Sequence, residues 1–469
     1  MNRFPVRFAR VFRVVLVLSA AASLWAAPAT AQDGRELFEE ELRVRLDQQR
    51  PEDRDVAFEA GGWITAIFYH YDDAALGSDR PLRRFQLRAW GRMNIKGVHR
   101  AYVRGMLNYD DWNKGDNPVP GQQDECDQDI ERLWYELDVG KAIWGDGTVL
   151  RIKAGRQFAR IGTALALSMP LDMVQVTAAT PDVSLKALVG LTIRDSENID
   201  RSASVATHQD RLFAGLELAY EGFDRHRPFV YVLSNDDDTD PRPNVPGQSF
   251  EYSSQYIGVG SKGSLPGGEF TYQAELVGEC GKTYSEGVAS GKDRIRAFAA
   301  DLAVQYRFRA PTRPRVMAEY IYATGDKDRR LSSTSTIGGN LMGSKDHAFN
   351  AFGFRDTGLA LAPRVSNLQM FMLGGGFFPL EHIEAFKKME LGTKLFMYRK
   401  VAEAGPISDT TAVNNARYLG SAADVFCNWR VLSDLALTIR YGTFFPGSAY
   451  DGGDKTCRQF FYSGVVLSF

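Results

Sequence analysis

The sequence predicts an all-β membrane protein: an antiparallel transmembrane β-barrel of about 18 strands, with short periplasmic turns and long extracellular loops. Three observations carry this. Apolar and polar residues alternate with a period of two in segment after segment beyond residue 59. The connections between those segments alternate between short and long. The chain closes on an amphipathic strand whose last residue is Phe469.

Composition excludes the main competitors. The 469 residues are 44% hydrophobic and 24% charged, and the mean hydropathy is −0.27. That is too polar for a bundle of membrane helices, each of which needs about 20 apolar residues. The 56 basic and 58 acidic residues nearly cancel, so neither nucleic-acid binding nor an acidic disordered chain is indicated. Gly (44), Phe (29) and Tyr (19) are plentiful, as many amphipathic strands joined by turns require. Four cysteines cannot staple a chain of this size.

Residues 1–31 read as a cleaved signal peptide. Arg3, Arg7, Arg10 and Arg13 precede an apolar run to Ala27, and Ala29-Thr30-Ala31 supplies the small-x-small cleavage pattern. Residues 32–58 read as a periplasmic leader. Leu37, Phe38, Leu42 and Leu46 recur near helical spacing, and Pro51 ends the pattern, so the leader is a short helix or a solvated tail.

The barrel is expected from residue 59 to residue 469. In 84–96, Phe85, Leu87, Ala89, Gly91 and Met93 share one face, with Gln86, Arg88, Trp90, Arg92 and Asn94 on the other. In 132–139, Leu133, Tyr135 and Leu137 oppose Arg132, Trp134, Glu136 and Asp138. Phe270, Tyr272, Ala274 and Leu276 oppose Glu269, Thr271, Gln273 and Glu275. Phe298 to Tyr306 and Leu435 to Tyr441 repeat the pattern. Short connections fall at 96–98, 140–147, 180–182, 221–227, 263–268, 310–314, 379–388 and 430–434. Long polar ones fall at 72–82, 110–129, 158–172, 194–210, 235–248, 279–292, 325–363, 400–415 and 446–458. This gives about 23 residues per strand with its connection, the spacing of outer-membrane barrels. The sorting by length puts the first long loop outside the cell and the C-terminus at the periplasmic side.

The final strand places Phe461, Val465, Leu467 and Phe469 on one face. Tyr109, Tyr322 and Phe445 fall at expected outer strand ends, and Tyr220, Phe308 and Trp429 at inner ones. Aromatics of this kind suit a boundary between lipid and water.

With the apolar face toward lipid, the polar face lines the bore, and 18 strands enclose an aqueous channel. Candidate lumen residues for anion selectivity are Arg88, Arg92, Arg104, Arg132, Arg151, Lys153, Lys394 and Arg440. Arginine keeps its charge and offers a planar fork of donors that matches a carboxylate. Glu217, Glu275, Asp301, Glu319 and Asp424 line the same bore, so one wall is basic and the remainder mixed. The 325–363 loop either folds inward as a constriction or caps the barrel. Residues 235–240 form an acidic stretch that fails the EF-hand pattern at Pro241 and reads as a solvated loop.

Catalysis finds no motif. The six histidines are scattered without metal-pair spacing, and no cofactor is expected. Cys126, Cys280 and Cys457 fall in expected outer loops, where a disulfide is permitted but its pairing is unreadable, and Cys427 falls in a strand.

Short motifs also carry a family resemblance. Leu419-Gly420, Val425 through Leu432-Ser433-Asp434, Tyr441-Gly442-Thr443-Phe444-Phe445-Pro446-Gly447 and the Phe461–Phe469 strand resemble the alginate-export family of bacterial outer-membrane barrels. Ala323-Thr324-Gly325-Asp326 and Gly155-Arg156-Gln157 resemble it as well. Together they cover about a third of the chain. The resemblance implies an 18-stranded barrel in the cell outer membrane, with an electropositive constriction that passes an anionic polysaccharide. The expected partners are an anionic polysaccharide such as alginate or a small organic anion, outer-membrane lipid and lipopolysaccharide, and periplasmic polysaccharide-export proteins, without nucleic acid. A weakly selective diffusion porin, or a structural barrel, is the alternative.

Overall fold

The computed structural model describes residues 55–73, 78–117, 124–145, 149–193, 210–238, 252–284, 292–329, 332–333, 340–341, 343–353, 355–452 and 456–469. The expected signal peptide, 1–31, and nearly all of the expected leader, 32–58, lie outside these residues. So do parts of the outer loops.

A bilayer offers no hydrogen-bond partner to an open sheet edge, so a sheet that crosses it must close. The chain does this with eighteen antiparallel strands. They are β1 (Val56–Asp73), β2 (Ser78–Ile95), β3 (His99–Trp112), β4 (Asp124–Asp138), β5 (Val149–Arg160), β6 (Leu167–Ala179), β7 (Val183–Thr192), β8 (Arg211–Tyr220), β9 (His226–Asp237), β10 (Tyr252–Ser264), β11 (Phe270–Tyr284), β12 (Lys292–Arg307) and β13 (Arg315–Ala323). After the long loop come β15 (Leu368–Phe377), β16 (Met389–Arg399), β17 (Tyr418–Arg430), β18 (Leu435–Pro446) and β19 (Arg458–Ser468). A two-residue segment, β14 (Phe352–Gly353), pairs in parallel with β6 from inside the long loop. One short helix, α1 (Val139–Trp144), forms the turn after β4 and is capped where Asp138 accepts from the Lys141 amide at 3.0 Å.

Closure falls between β1 and β19, in register from Trp63↔Ser468 to Asp72↔Gln459. The terminal residue completes it. Phe469 and Gly62 exchange two backbone hydrogen bonds, each 2.9 Å. The barrel thus begins at Val56, three residues before the expected boundary.

The outward face is apolar. Ile257, Val259, Leu276, Leu302, Leu373 and Leu395 are each about half exposed or more, which in water would be an aggregation patch and in lipid is the required surface. Of the expected girdle aromatics, Tyr220, Tyr322, Trp429 and Phe445 lie at or next to the last residue of their strands, Phe308 just past β12, and Tyr109 three residues short of the end of β3. Trp429 is fixed in place by an indole hydrogen bond to the Ala385 carbonyl at 3.0 Å.

Several connections differ from expectation. β1 and β2 each run 18 residues, more than the 9–11 a crossing needs, so the hairpin stands above the bilayer, paired as far as Asp73↔Ser78. The expected 158–172 loop shrinks to 161–166. β6 was obscured because its inward residues, Leu167, Met169 and Leu171, are buried and apolar, which inverts the polarity of a water-lined strand. Asn235 and Asp237 are not solvated: they end β9, and Asp237 is buried against Arg211 at 2.9 Å. The cysteines are all free thiols. Cys126 and Cys280 lie in β4 and β11 rather than in loops.

Leu302 points into the middle of the apolar band. Leu302→Arg is expected to lower stability by about 2–4 kcal/mol, read as a shift of the urea midpoint in lipid vesicles. The same change at inward-facing Gln273 leaves the midpoint within about 1 kcal/mol.

Candidate functional site

The bore is not uniformly open. Two extracellular loops fold into it: 161–166, and the long loop, whose described residues from Phe349 to Val365 join the interior while Lys345 and Asp346 lie along the outer end of β12. Their side chains join one buried apolar cluster with the inner faces of most strands. Phe352 packs edge-on to Phe213 at 4.8 Å, and Phe349 and Phe352 flank Tyr256 at 6.0 Å each. Gly353 sits at φ +106, and a Cβ there would lie 1.9 Å from the Ser168 carbonyl, so only glycine admits the contact with β6.

The acidic side chains of the bore hold these loops. Arg355, on the long loop, pairs with Asp301 of β12 and with Glu319 of β13 at 2.9 Å. It also donates to the Thr163 carbonyl of the other loop at 3.3 Å. Glu217 accepts from the Gly162 amide at 2.8 Å, and Glu275 accepts from the Thr163 amide. Glu279 accepts from the Asn350 amide at 3.0 Å and from the Tyr252 hydroxyl at 2.6 Å. Asp356 pairs with Lys394, and Asp424 accepts from the Leu359 amide at 3.1 Å. Five carboxylates that the sequence places in the bore are therefore loop anchors, and Lys394 is one as well.

The buried apolar cluster takes no fully buried member from β3 or β4 among the described residues. That wall carries most of the expected cations. Arg88 and Arg104 are almost wholly buried and share one carboxylate, Glu131, at 2.9 and 2.8 Å. Glu131 is on the wrong parity for this role, since it belongs with outward Leu133. A β-bulge accounts for it: Arg104 pairs with Arg132 while Gly105 pairs with Ile130. The extra residue turns Glu131 inward beside Arg132, as bulges re-aim side chains. Arg92 pairs with Glu59, its Nε at 2.7 Å from the carboxylate. Arg151 pairs with Asp138 at 3.1 Å, and Arg100, missed in the sequence, pairs with Glu136 at 2.7 Å. Arg132 reaches the ring of Phe158 at 5.7 Å. Arg440, on β18, lies over Phe426 at 5.8 Å.

Among the described residues, this wall sets seven cations (Arg88, Arg92, Arg100, Arg104, Arg132, Arg151, Lys153) against four carboxylates (Glu59, Glu131, Glu136, Asp138) from the bulge to the periplasmic mouth, with Asp129, in the row of Arg88, paired to Arg156. Among them Trp90, Tyr102 and Trp134 form a row of near-parallel rings, 6.3 and 5.6 Å between centroids. Lys153 sits 3.8 Å over Trp134, and Arg92 5.6 Å over Trp90.

A family described as "Alginate export" matches residues 195–462, more than half of the chain. The chain belongs to the alginate-export family. Family and fold are those of outer-membrane transport channels rather than enzymes, and the family places this barrel in a Gram-negative-type outer membrane. Among curated proteins, none matches by sequence. Solved structures similar in fold include Pseudomonas aeruginosa OccK5 (OpdH), with 12% identity over 88% of this chain and 97% of that one, TM-score 0.53. Acinetobacter baumannii OccAB4 has 10% identity over 89% and 100%, TM-score 0.54. The outer-membrane protein OprD from Pseudomonas aeruginosa has 11% identity over 89% and 95%, TM-score 0.53.

Arg355→Met leaves Asp301 and Glu319 without their shared cation. Breaking a buried pair from one side costs about 3–5 kcal/mol, enough to undock the loop. The expected readouts are higher single-channel conductance and new protease cleavage within 324–367; unchanged values of both would contradict the anchoring role. A second loop offers a pH test. Asp409 accepts from Arg458 at 2.6 Å, Tyr450 at 2.9 Å and Thr411 at 2.8 Å. Burial opposes its charge, but Arg458 and Thr411 outweigh it and hold the carboxyl below its ordinary 3.8. A lowered folded value stabilises docking above pH 3.8, and the gain is lost as pH falls through the lowered value. Cleavage of the 400–417 loop by an acid-active protease should therefore rise below pH 3.8. In Asp409→Asn it should be high at pH 3 and pH 5 alike.

Proposed function

We propose that this channel passes an acidic polysaccharide such as alginate, or another organic anion, along the β2–β5 wall. The observation that carries the reading is the cation surplus between the bulge and the periplasmic mouth, interleaved with the Trp90–Tyr102–Trp134 row. A sugar ring presents C–H groups to the negative face of an aromatic ring, and its carboxylate then meets arginine and lysine at the same level. Cations grouped at the inner mouth concentrate a polyanion on the periplasmic side, which favours export and suits a periplasmic polysaccharide-export partner. Family membership supports the same cargo class.

The weakly selective porin retains one specific argument. Arg88, Arg92, Arg100, Arg104 and Arg151 are each already paired with a carboxylate, and paired charges raise little net potential.

Reversal potentials in planar bilayers under a salt gradient decide between them. The wild type is expected to prefer anions, and Arg132→Gln/Arg151→Gln/Lys153→Gln to lose that preference, with the anion-to-cation permeability ratio falling about threefold or more. These three leave Arg88, Arg104 and Glu131 themselves unchanged. Weak selectivity, untouched by the triple change, would favour the diffusion porin.

A further inference from the structure

The outer surface carries a second cationic site, away from the bore. On β10–β12 the apolar band ends with the row Ile257–Gly278–Phe298. The next outward row toward the cell exterior is Gln255–Cys280–Arg296, and the one beyond is Ser253–Lys282–Arg294. Each step is two residues, about 6.8 Å along a strand. Lys292 follows at the tip of β12. The extracellular loop then closes over this end. The Arg296 amide donates to the Asp346 carbonyl at 2.7 Å, and the Asp346 amide to the Arg294 carbonyl at 2.9 Å, which brings Lys345 alongside.

Between these segments lies a cleft of about 470 Å³. Lys282, Lys292, Arg294, Arg296 and Lys345 line it, with no carboxylate in the lining. Lys282, Arg294, Arg296 and Lys345 form no side-chain ion pair among the described residues, unlike most of the cations in the bore. Asp293 lies on the opposite face of β12 and accepts from the Gly343 amide at 3.2 Å.

We propose that this cleft binds the phosphate groups of a phosphorylated glycolipid in the outer leaflet. Three features argue for a lipid headgroup rather than a soluble anion. The cations point outward, not into the bore. They begin one row above the last lipid-facing side chains, at the depth of the polar headgroups. The apolar strip beneath them, Ile257, Val259, Leu276 and Phe298, is where the acyl chains of the same molecule would lie. Arginine forks suit phosphate oxygens, and two arginines two residues apart with lysines on both sides can satisfy more than one phosphate. Lys292 also borders a neighbouring cleft lined by Asp210, Asp236 and Asp238, but Lys282, Arg294, Arg296 and Lys345 held together cost self-repulsion unless a counter-charge joins them, so binding should stabilise the barrel.

The test uses full-length mature protein, refolded in detergent without native lipid. A bis-phosphorylated outer-leaflet glycolipid is titrated against it, followed by thermal unfolding and by native mass spectrometry. The expected result is a one-to-one adduct and a rise in Tm, both weakened by salt. Lys282→Gln/Arg294→Gln/Arg296→Gln should weaken binding at least tenfold. The single change Arg294→Gln should weaken it measurably, and Lys387→Gln/Lys388→Gln on the periplasmic turn should not. Heat-modifiable gel migration checks that each variant folds. Equal binding of the same lipid stripped of phosphate, equal affinity in the triple variant, or full competition by inorganic phosphate at matching concentrations would each overturn the assignment.

Discussion

Backbone hydrogen bonding inside a bilayer is the constraint on which everything else here depends. Each N–H and C=O at membrane depth must find a partner in the sheet, so the sheet closes, and antiparallel closure demands an even number of strands. The Gly62–Phe469 exchange meets that demand at the seam. Once the cylinder is shut, its two faces have opposite solvents. Leucine, valine and phenylalanine are forced outward, and charge is forced into the bore. The bore's chemistry is thus a consequence of closure before it is an adaptation to any cargo.

A bore of 18 strands is wider than its side chains can fill, and the chain divides it unequally. Acidic side chains on β8, β11–β13 and β17 receive loop amides and Arg355, while among the described residues β3 and β4 give no fully buried member to the apolar cluster that the loops join. Buried carboxylates are costly unless fully partnered, and the inward loops supply those partners. The acidic and basic walls therefore serve different ends: one fixes the plug-like loops, and the other faces whatever passes. On the proposed reading, a bore that passes anions can in this way carry nearly as many carboxylates as cations.

Much of this was readable in the residues, and the reason is the period of two. Parity alone assigns Arg88, Arg92 and Arg104 to the bore and Phe85, Leu87 and Met93 to lipid, since no packing detail can move a strand residue to the other face. The same rule fails wherever it is broken locally. Parity misplaces Glu131 because one extra residue at the bulge resets the alternation of β4. The first half of β6, 167–172, reads as loop because its inward residues meet buried apolar side chains instead of water. Arg355 and Asp356 carry no periodic signal at all; their partners lie on β12, β13 and β16, and only the folded register brings them within reach. Ion pairing was unreadable for the same reason, since Arg104 meets Glu131 through alignment between strands rather than through spacing within one.

That distinction separates the two cationic regions. In the bore, register places carboxylates beside nearly every arginine, so the field a solute feels is a small surplus left after pairing, concentrated below the bulge. On the outer rim of β10–β12, register stacks Lys282 beside Arg294 and Cys280 beside Arg296, with no acid between them. Sequence spacing is alike in the two places; each strand alternates charge with apolar residues. The difference arises only across strands, where pairing partners decide whether a positive charge is already answered. A surface that leaves Lys282, Arg294, Arg296 and Lys345 together without an ion pair favours a counter-charge from outside the chain, whereas the bore has largely supplied its own.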